Sequence, residues 1–280
     1  MFRGANQEPV LQALAAYQNA DGGYGQGIEP DFRGPVSQPL GALFALGVFD
    51  ELAACTQAHL APVLGYLERI TAADGGIPNV LANARDYPRA PWWEPAPSPT
   101  PGSLLPTAAI VGLLHKHGLR HAWLERATAF CWQASAQLVE RAVHASERLP
   151  RLQLVYEARA VVTFVDHVPD RSRAEQLATA LGQTLTRHKF LATDTHASAE
   201  ANEAAAPLDF APTPNSLARR WFDDTTIAKQ LDALIASQSE AGGFDVPWLI
   251  WTPITGLEWR GIHTVERLKT LRAYGRFPTR

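Results

Sequence analysis

The sequence contains little cysteine, and its charges of the two signs nearly balance. Its two cysteines among 280 residues, Cys55 and Cys131, both fall within apolar helical patterns. This predicts two buried thiols and excludes a disulfide framework or a zinc site built on cysteines. The formal net charge is −3 and no basic tract stands out, so nucleic acid is not a predicted partner.

Long apolar runs are also missing. None reaches the roughly 18 residues that a membrane-spanning helix needs, and the first residues, MFRGANQEPV, have no apolar core of the kind found in signal peptides. Hydrophobic residues make up 46% of the chain and charged residues 19%, a balance typical of globular proteins. The sequence therefore predicts a globular cytoplasmic protein without a transmembrane segment.

Alternating, strand-like patterns are missing as well, whereas apolar residues recur every three or four positions along most of the chain. Examples are PVSQPLGALFALGVFDELAAC at 35–55 and AWLERATAFCWQASAQLVERAV at 122–143. Alanine and leucine dominate these stretches, and both favour helices. The pattern predicts nine or ten helices, and an all-α fold in a single domain of residues 1–280.

A motif built around two glycines repeats along the chain. QNADGGY at 18–24 and QSEAGGF at 238–244 share a glutamine, a Gly-Gly pair and an aromatic residue, and TAADGGI at 71–77 keeps Asp-Gly-Gly before an apolar residue. The spacings fit one and three units of about 55 residues, a period that indicates stacked helical hairpins. A glycine C-cap explains the Gly-Gly pair, but it explains neither the glutamine nor the aromatic ring.

The Gln-x-x-x-Gly-Gly-aromatic motif resembles the repeat of the terpenoid cyclase and protein prenyltransferase α/α toroids, where it joins an outer helix to the next inner helix. Tyr24 and Phe244 stand where the motif of squalene-type cyclases has tryptophan. The resemblance implies a single α/α toroid of about five to six helical hairpins.

The resemblance does not supply a mechanism. The Asp-x-Asp-Asp of squalene-type cyclases is missing, and DDTTI at 223–227 lacks the third aspartate of the diphosphate-binding Asp-Asp-x-x-Asp. The zinc ligands of the prenyltransferases have no evident counterpart, and His115 and His117 lie two apart on a helix, which is the wrong spacing for joint ligation. No metal and no cofactor are predicted.

If outer and inner helices alternate, the outer-to-inner connections share one rim. We place these connections at 21–35, 74–103, 141–149, 189–222 and 240–253. Three of them contain an aspartate followed by an aromatic residue and a proline: Asp31, Asp86 and Asp209. Aspartate before a proline-containing turn is also a common cap. Three occurrences on one rim nevertheless suggest that the three carboxylates converge on a cavity.

The same connections collect aromatic residues. The candidate substrate-binding rings are Tyr87, Trp92, Trp93, Trp221, Trp248 and Trp251, with Trp259 following in the last helix. Ring faces stabilise a carbocation, and they also stack on the apolar face of a sugar. The proline-rich segment 92–103 is interpreted either as a lid over the rim or as a surface linker.

Glu29 and Asp31 flank Pro30 and are the leading candidates for an acid. Pro30 favours an extended Glu29, and in an extended chain the two side chains would project together, about 6–7 Å apart. Two close carboxylates do not ionise independently, so one can keep the proton that a general acid needs, with Arg33 binding the ionised partner. A solvated acidic turn that caps the next helix is the alternative.

Glu258 and Arg260 form a further pair, at the start of the last helix, and are interpreted as catalytic and substrate-binding residues or as a structural ion pair. The leading hypothesis is a terpenoid cyclase-like enzyme, an isomerase or lyase that protonates an apolar, isoprenoid-like substrate. One alternative is a carbohydrate-active α/α-barrel enzyme, a glycosidase, lyase or epimerase that uses the carboxylates on a sugar. Another is a toroid that binds a peptide or ligand without catalysis.

Overall fold

The computed structural model describes residues 6–145, 148–192 and 205–277. Its contacts group into two compact units. Unit 1 comprises Met1–Ala134 and His167–Pro169, and unit 2 comprises Ser135–Asp166 and Asp170–Arg280. Each unit is described below by itself.

The described residues form α-helices without named strands, which confirms the predicted all-α class for this part of the chain. The helices are α1 (Glu8–Ala15), α2 (Pro39–Glu51), α3 (Gln57–Ile70), α4 (Leu104–Lys116), α5 (Ala122–His144), α6 (Arg148–His167), α7 (Arg171–Arg187), α8 (Pro207–Phe210), α9 (Asp224–Ala236) and α10 (Pro253–Ala273). Two 3-10 helices, Ala82–Asp86 and Leu217–Trp221, lie in connections. The predicted connection 141–149 is shorter than expected, because α5 continues to His144 and α6 begins at Arg148. No helix of the described part is both long enough and apolar enough to cross a membrane.

In unit 1, α2 packs against α4 and α3. Proline at the first position of α2 suits a helix start, where its missing N–H has no partner to lose. The buried residues of α2 include Ala42, Ala45, Leu46 and Phe49. The Phe49 ring also stacks on the His59 imidazole of α3, with ring centroids 4.8 Å apart. Cys131 of unit 1 is buried as predicted, whereas Cys55 is half-buried.

In unit 2, α7 packs against the 3-10 helix Leu217–Trp221 and α8 against α9. Gly182 of α7 makes the first contact possible, since a Cβ atom there would lie 2.4 Å from Nε1 of Trp221. Side-chain oxygens start three of the helices: Asp170, Asp223 and Thr252 accept the backbone N–H groups of Arg173, Thr226 and Thr255. Asp223, the first residue of DDTTI, is thus a helix cap.

The three Gly-Gly motifs fold into the same turn. In each, the first glycine has a positive φ: +80° at Gly22, +91° at Gly75 and +83° at Gly242. The backbone carbonyl of the residue three positions earlier accepts the N–H of this glycine. The N–H of the same residue donates to the carbonyl of the second glycine. These earlier residues are Asn19, Ala72 and Ser239. The sequence repeat is therefore a repeat of backbone structure.

The glutamine and the apolar residue at the two ends of the motif have structural roles. The Gln18 and Gln238 amides each donate to the carbonyl of the first glycine, at 3.4 Å and 2.8 Å. The residue after the glycines is buried in all three motifs: Tyr24, Ile77 and Phe244. The Tyr24 carbonyl accepts the N–H of Gln38, which precedes α2, and the Ile77 carbonyl accepts the N–H of Ser103, which precedes α4. Each of these two turns thus fixes where the following helix begins.

Replacing the first glycine by alanine is expected to cost more at Gly22 than at Gly242. Both positions have the left-handed backbone that costs an L-residue about 1–2 kcal/mol. A Cβ at Gly22 would also lie 2.3 Å from the Pro62 carbonyl oxygen, whereas a Cβ at Gly242 would meet nothing within 4 Å. Chemical denaturation should show Gly22→Ala less stable than Gly242→Ala by about 1–3 kcal/mol. Equal losses would mean that α3 does not pack tightly on the first turn.

Candidate functional site

The chain between Glu29 and Phe32 forms a β-turn rather than the expected extended segment. The Phe32 N–H donates to the Glu29 carbonyl at 3.2 Å, so that Pro30 and Asp31 occupy the centre of the turn. Proline suits this position because its fixed φ matches that of the second turn residue. The Asp31 N–H donates to Oε2 of Glu29 at 2.8 Å. The turn therefore holds the Glu29 carboxyl group against the backbone of Asp31.

Glu29 and Asp31 are both buried, with only 5% and 6% of their surface exposed. Burial raises the pKa of Glu29 well above its ordinary value of 4.5, and the charge of Asp31 raises it further. Hydrogen bonds from the Asp31 and Phe32 backbone and the charge of Arg33 act in the opposite direction, with smaller effect. Glu29 is thus a carboxyl group that favours its protonated form.

Trp92 contacts both the Asp31 carboxylate and solvent. Its indole Nε1–H donates to Oδ2 of Asp31 at 3.0 Å, while 45% of the residue remains exposed. Backbone pairing brings the two segments together: Ala90 N–H donates to the Asp31 carbonyl at 2.8 Å, and Arg33 N–H to the Pro88 carbonyl at 2.9 Å. Two of the predicted rim connections therefore meet at this point.

Aromatic rings pack on one another around Phe32, the residue that follows Asp31. The Phe32 ring stacks on Trp93, with centroids 5.2 Å apart and planes within 8° of parallel, and meets Tyr87 edge to face at 6.2 Å. Phe32 and Trp93 are buried. We call Glu29, Asp31, Phe32, Trp92 and Trp93 the acid-pair site.

Gln38 is a buried residue of this region that the sequence did not single out. Its amide Nε2 donates to Oδ1 of Asn83 at 2.7 Å, and its Oε1 accepts the Leu81 N–H at 3.0 Å. Through these bonds the residue that precedes α2 also positions the connection that carries Trp92. In the sequence, Gln38 is marked only by its position directly before Pro39, where an apolar run begins.

Asp86 has a different environment from Asp31. It is exposed and ends the 3-10 helix Ala82–Asp86. Beside it, Arg85 donates to the Pro95 carbonyl at 3.0 Å, and Arg89 pairs with Glu94 at 2.8 Å. These contacts tie the beginning of the proline-rich segment to the 3-10 helix.

Asp209 lies in unit 2, in an ion pair. Its Oδ1 accepts Nη2 of Arg267 at 2.7 Å, and its Oδ2 accepts the Ala206 N–H at 2.9 Å. Burial alone would raise the pKa of Asp209, but the charges of Arg267 and Arg159 lower it below its ordinary value. Asp209 is therefore a charged partner of arginines rather than a proton donor.

Arg267 also reaches His263, one helical turn earlier on α10. Its Nε donates to Nε2 of His263 at 3.2 Å, and the Trp248 ring meets the imidazole edge to face at 5.2 Å. Burial lowers the pKa of the buried His263 to about 4, and the charges of Arg267 and Arg159 act in the same direction. We call Arg159, Asp209, Trp248, His263 and Arg267 the arginine cluster. The sequence signalled it only through the i, i+4 spacing of His263 and Arg267.

The other candidate residues lie in unit 2 in several settings. Trp221 packs between Phe210 and Phe222 and against Gly182. Trp259 meets Trp248 edge to face at 5.5 Å. Arg260 pairs with Asp245 at 2.6 Å on the surface, while Trp251 and Glu258 are half-buried.

Within the described ranges no group of three or more histidine, cysteine, aspartate or glutamate side chains is placed to hold a metal ion. Among the histidines of the HKH stretch, His115 contacts Oγ1 of Thr128 at 2.9 Å and His117 contacts Oδ1 of Asp50 at 2.8 Å. Comparison with known proteins finds no family model that matches this chain and no curated protein that matches it.

Proposed function

We propose that the protein is a terpenoid cyclase-like enzyme with an α/α toroid fold, in which Glu29 protonates an apolar, isoprenoid-like substrate. The observation that carries the proposal is a buried carboxyl group with a raised pKa, Glu29, in a turn that also holds Asp31, whose carboxylate accepts the Trp92 indole N–H. The three identical Gly-Gly turns support the fold, because they recur at the spacing of a helical-hairpin repeat. The activity is an isomerisation or a cyclisation.

The proposed reaction begins with proton transfer from Glu29 to a carbon–carbon double bond. One alkene carbon forms a C–H bond, the other becomes a carbocation, and Glu29 becomes a carboxylate. The cation then shifts or closes a ring by attack of a second double bond. Loss of a proton to the Glu29 carboxylate forms the product alkene and restores the acid. No other reactant is consumed.

Asp31 has the complementary role. The Trp92 indole N–H that reaches its Oδ2 favours a negative charge on this carboxylate, and a carboxylate near a developing cation stabilises it electrostatically. The face of the partly exposed Trp92 ring offers further stabilisation of the cation. Glu29 thus donates the proton, and Asp31 supplies the negative charge that stabilises the cation.

Trp92 also favours a second candidate function, a carbohydrate-active enzyme. A ring with 45% of its surface exposed, hydrogen-bonded to a buried carboxylate, offers a face on which a sugar can stack. In that case Glu29 would protonate a glycosidic oxygen instead of an alkene.

The test uses two substrate panels with one set of variants. Linear isoprenoid hydrocarbons and alcohols are incubated with the protein and the products separated by gas chromatography and mass spectrometry, while oligosaccharides are assayed for new reducing ends. We expect turnover of an isoprenoid, and a loss of about 100-fold or more in Glu29→Gln, since an amide cannot donate a carboxyl proton. Asp31→Asn should also lose turnover, and both variants should remain folded under the assay conditions.

Glu68→Gln is the matched control, because it makes the same chemical change at an exposed glutamate of unit 1, and it should keep full turnover. Full turnover in both Glu29→Gln and Asp31→Asn would remove the acid pair from the mechanism. Activity confined to the oligosaccharides would favour the second candidate.

A further inference from the structure

An exposed apolar surface lies on α10 and on the segment before it, in unit 2. The three most exposed large apolar side chains of the described ranges are all found here: Leu249, Leu257 and Ile254 are 72%, 64% and 55% exposed. Val265, further along α10, is 36% exposed. Single apolar side chains are common on protein surfaces, whereas a contiguous group marks an interaction site. This surface has no part in the proposed proton transfer.

The exposed apolar residues of α10 share one face of the helix. They follow one another at intervals of three or four residues, which keeps them in one row. We call this row the α10 face; it consists of Ile254, Leu257, Gly261, Val265 and Leu268. The helix packs on its own unit through the opposite side, where His263 and Thr270 are buried. The α10 face is therefore directed away from the core that holds the helix.

The α10 face is complementary to itself when two copies pair in antiparallel orientation. Leu257 and Val265 lie four residues on either side of Gly261, so a two-fold axis at Gly261 places Leu257 opposite the partner's Val265. Ile254 and Leu268 lie seven residues on either side and face each other in the same way. A Cβ atom at Gly261 would meet nothing within 4 Å, and a glycine at the crossing lets two helices approach closely.

The charges beside this face favour the antiparallel orientation. Glu258 lies near the start of α10, whereas Lys269 and Arg272 lie near its end. At about 100° per residue, Glu258 and Lys269 border the same flank of the face. Antiparallel pairing about Gly261 brings Glu258 to within about 8 Å of the partner's Lys269 along the axis, and the two side chains lean toward each other because each leans toward its own helix start. Parallel pairing would bring the two basic ends together.

We propose that the α10 face binds a second copy of this chain, forming a two-fold symmetric homodimer in which the two α10 helices pack antiparallel. Burial of the apolar row supplies the affinity, and the charges set the orientation. Each α10 has 21 residues, so the helices can touch over about 30 Å. An interface of this size is small, and we expect monomer and dimer in equilibrium.

Sedimentation equilibrium of the full chain tests the association itself. Between micromolar and submillimolar concentrations the average mass should rise from 30.6 kDa toward twice that value. A two-fold interface is closed, so the mass should not rise further. A mass that stays at that of the monomer throughout, or that continues beyond the dimer, would overturn the proposal.

Val265→Glu tests the position of the interface. It places a charge in the middle of the apolar row and should weaken the dimer about tenfold or more. The fold should persist, because the position is exposed and a carboxylate four residues before Lys269 suits a helix. Val143→Glu is the matched control: it makes the same change at a 45% exposed valine of α5 in unit 2, and it should associate like the wild type. Unchanged association in Val265→Glu, or an equal loss in both variants, would contradict the assignment.

Cysteine cross-linking tests the orientation. In the antiparallel dimer the two thiols of Gly261→Cys lie opposite each other, so mild oxidation should form a covalent dimer on non-reducing electrophoresis. The two thiols of Ile254→Cys lie about 20 Å apart along the axis, beyond the reach of a disulfide, and should not cross-link. Both variants keep Cys55 and Cys131, for which the wild type is the control. No cross-link in Gly261→Cys, or equal cross-linking in both variants, would overturn the antiparallel dimer.

Discussion

Asp209→Ala is expected to lower the free energy of unfolding by about 3 kcal/mol or more. The variant leaves the half-buried Arg267 without its carboxylate partner and close to a second positive charge, Arg159. It also removes the acceptor of the Ala206 N–H. An uncompensated charge in a shielded place costs far more than the pair itself contributes, which is why removal of one partner has a large effect. Urea denaturation at neutral pH measures the loss.

Asp245→Ala is the matched comparison. Asp245 also pairs with an arginine of α10, Arg260, at 2.6 Å, but the two side chains are 77% and 55% exposed. Water screens such a pair, so the expected loss is below about 1 kcal/mol. Similar losses in the two variants would show that the Asp209–Arg267 pair is not shielded from solvent.

Glu29 is expected to make the protein less stable as the pH rises. In the folded chain its pKa lies well above 4.5, whereas in the unfolded chain it returns to about that value. Between these two values the folded state binds a proton that the unfolded state has lost. The stability that this group contributes is therefore complete below pH 4.5 and decreases by about 1.4 kcal/mol per pH unit until Glu29 ionises in the folded state.

The difference between the wild type and Glu29→Gln isolates this effect. Glutamine does not titrate, so the variant should gain stability relative to the wild type by about 1.4 kcal/mol per pH unit across the same window. Denaturation curves at several pH values between 4 and 8 give the two slopes. Parallel slopes for the wild type and Glu29→Gln would mean that Glu29 ionises freely.

The helices and the Gly-Gly turns could be predicted because their causes are local. An apolar period of three to four residues defines a buried helix face, and glycine is the default residue at a position that must adopt a positive φ. Gly22, Gly75 and Gly242 all have this backbone. The turn around Pro30 was wrongly expected to be extended. Proline constrains the residue before it but also suits the second position of a β-turn, and the hydrogen bond from Phe32 to Glu29 selects the turn.

The environments of the three Asp-aromatic-Pro aspartates could not be predicted from that pattern. Asp31 lies in a turn, Asp86 ends a 3-10 helix, and Asp209 lies within α8. A shared sequence of this kind gives them no shared structure, because the partners of the Asp31 and Asp209 carboxylates come from distant parts of the chain. Arg267 is 58 residues from Asp209, and Trp92 is 61 residues from Asp31.

The protonation state of Glu29 is the central claim, and carboxyl ¹³C NMR of protein labelled in glutamate measures it directly. The Glu29 signal is the one missing from the spectrum of Glu29→Gln. We predict that it keeps the chemical shift of a protonated carboxyl group to a pH well above 4.5, because burial and the charge of Asp31 raise the pKa of Glu29. In Asp31→Asn its titration should move to lower pH, because the neighbouring negative charge is gone. A Glu29 signal that titrates near the ordinary value of 4.5, and does not respond to Asp31→Asn, would contradict the account.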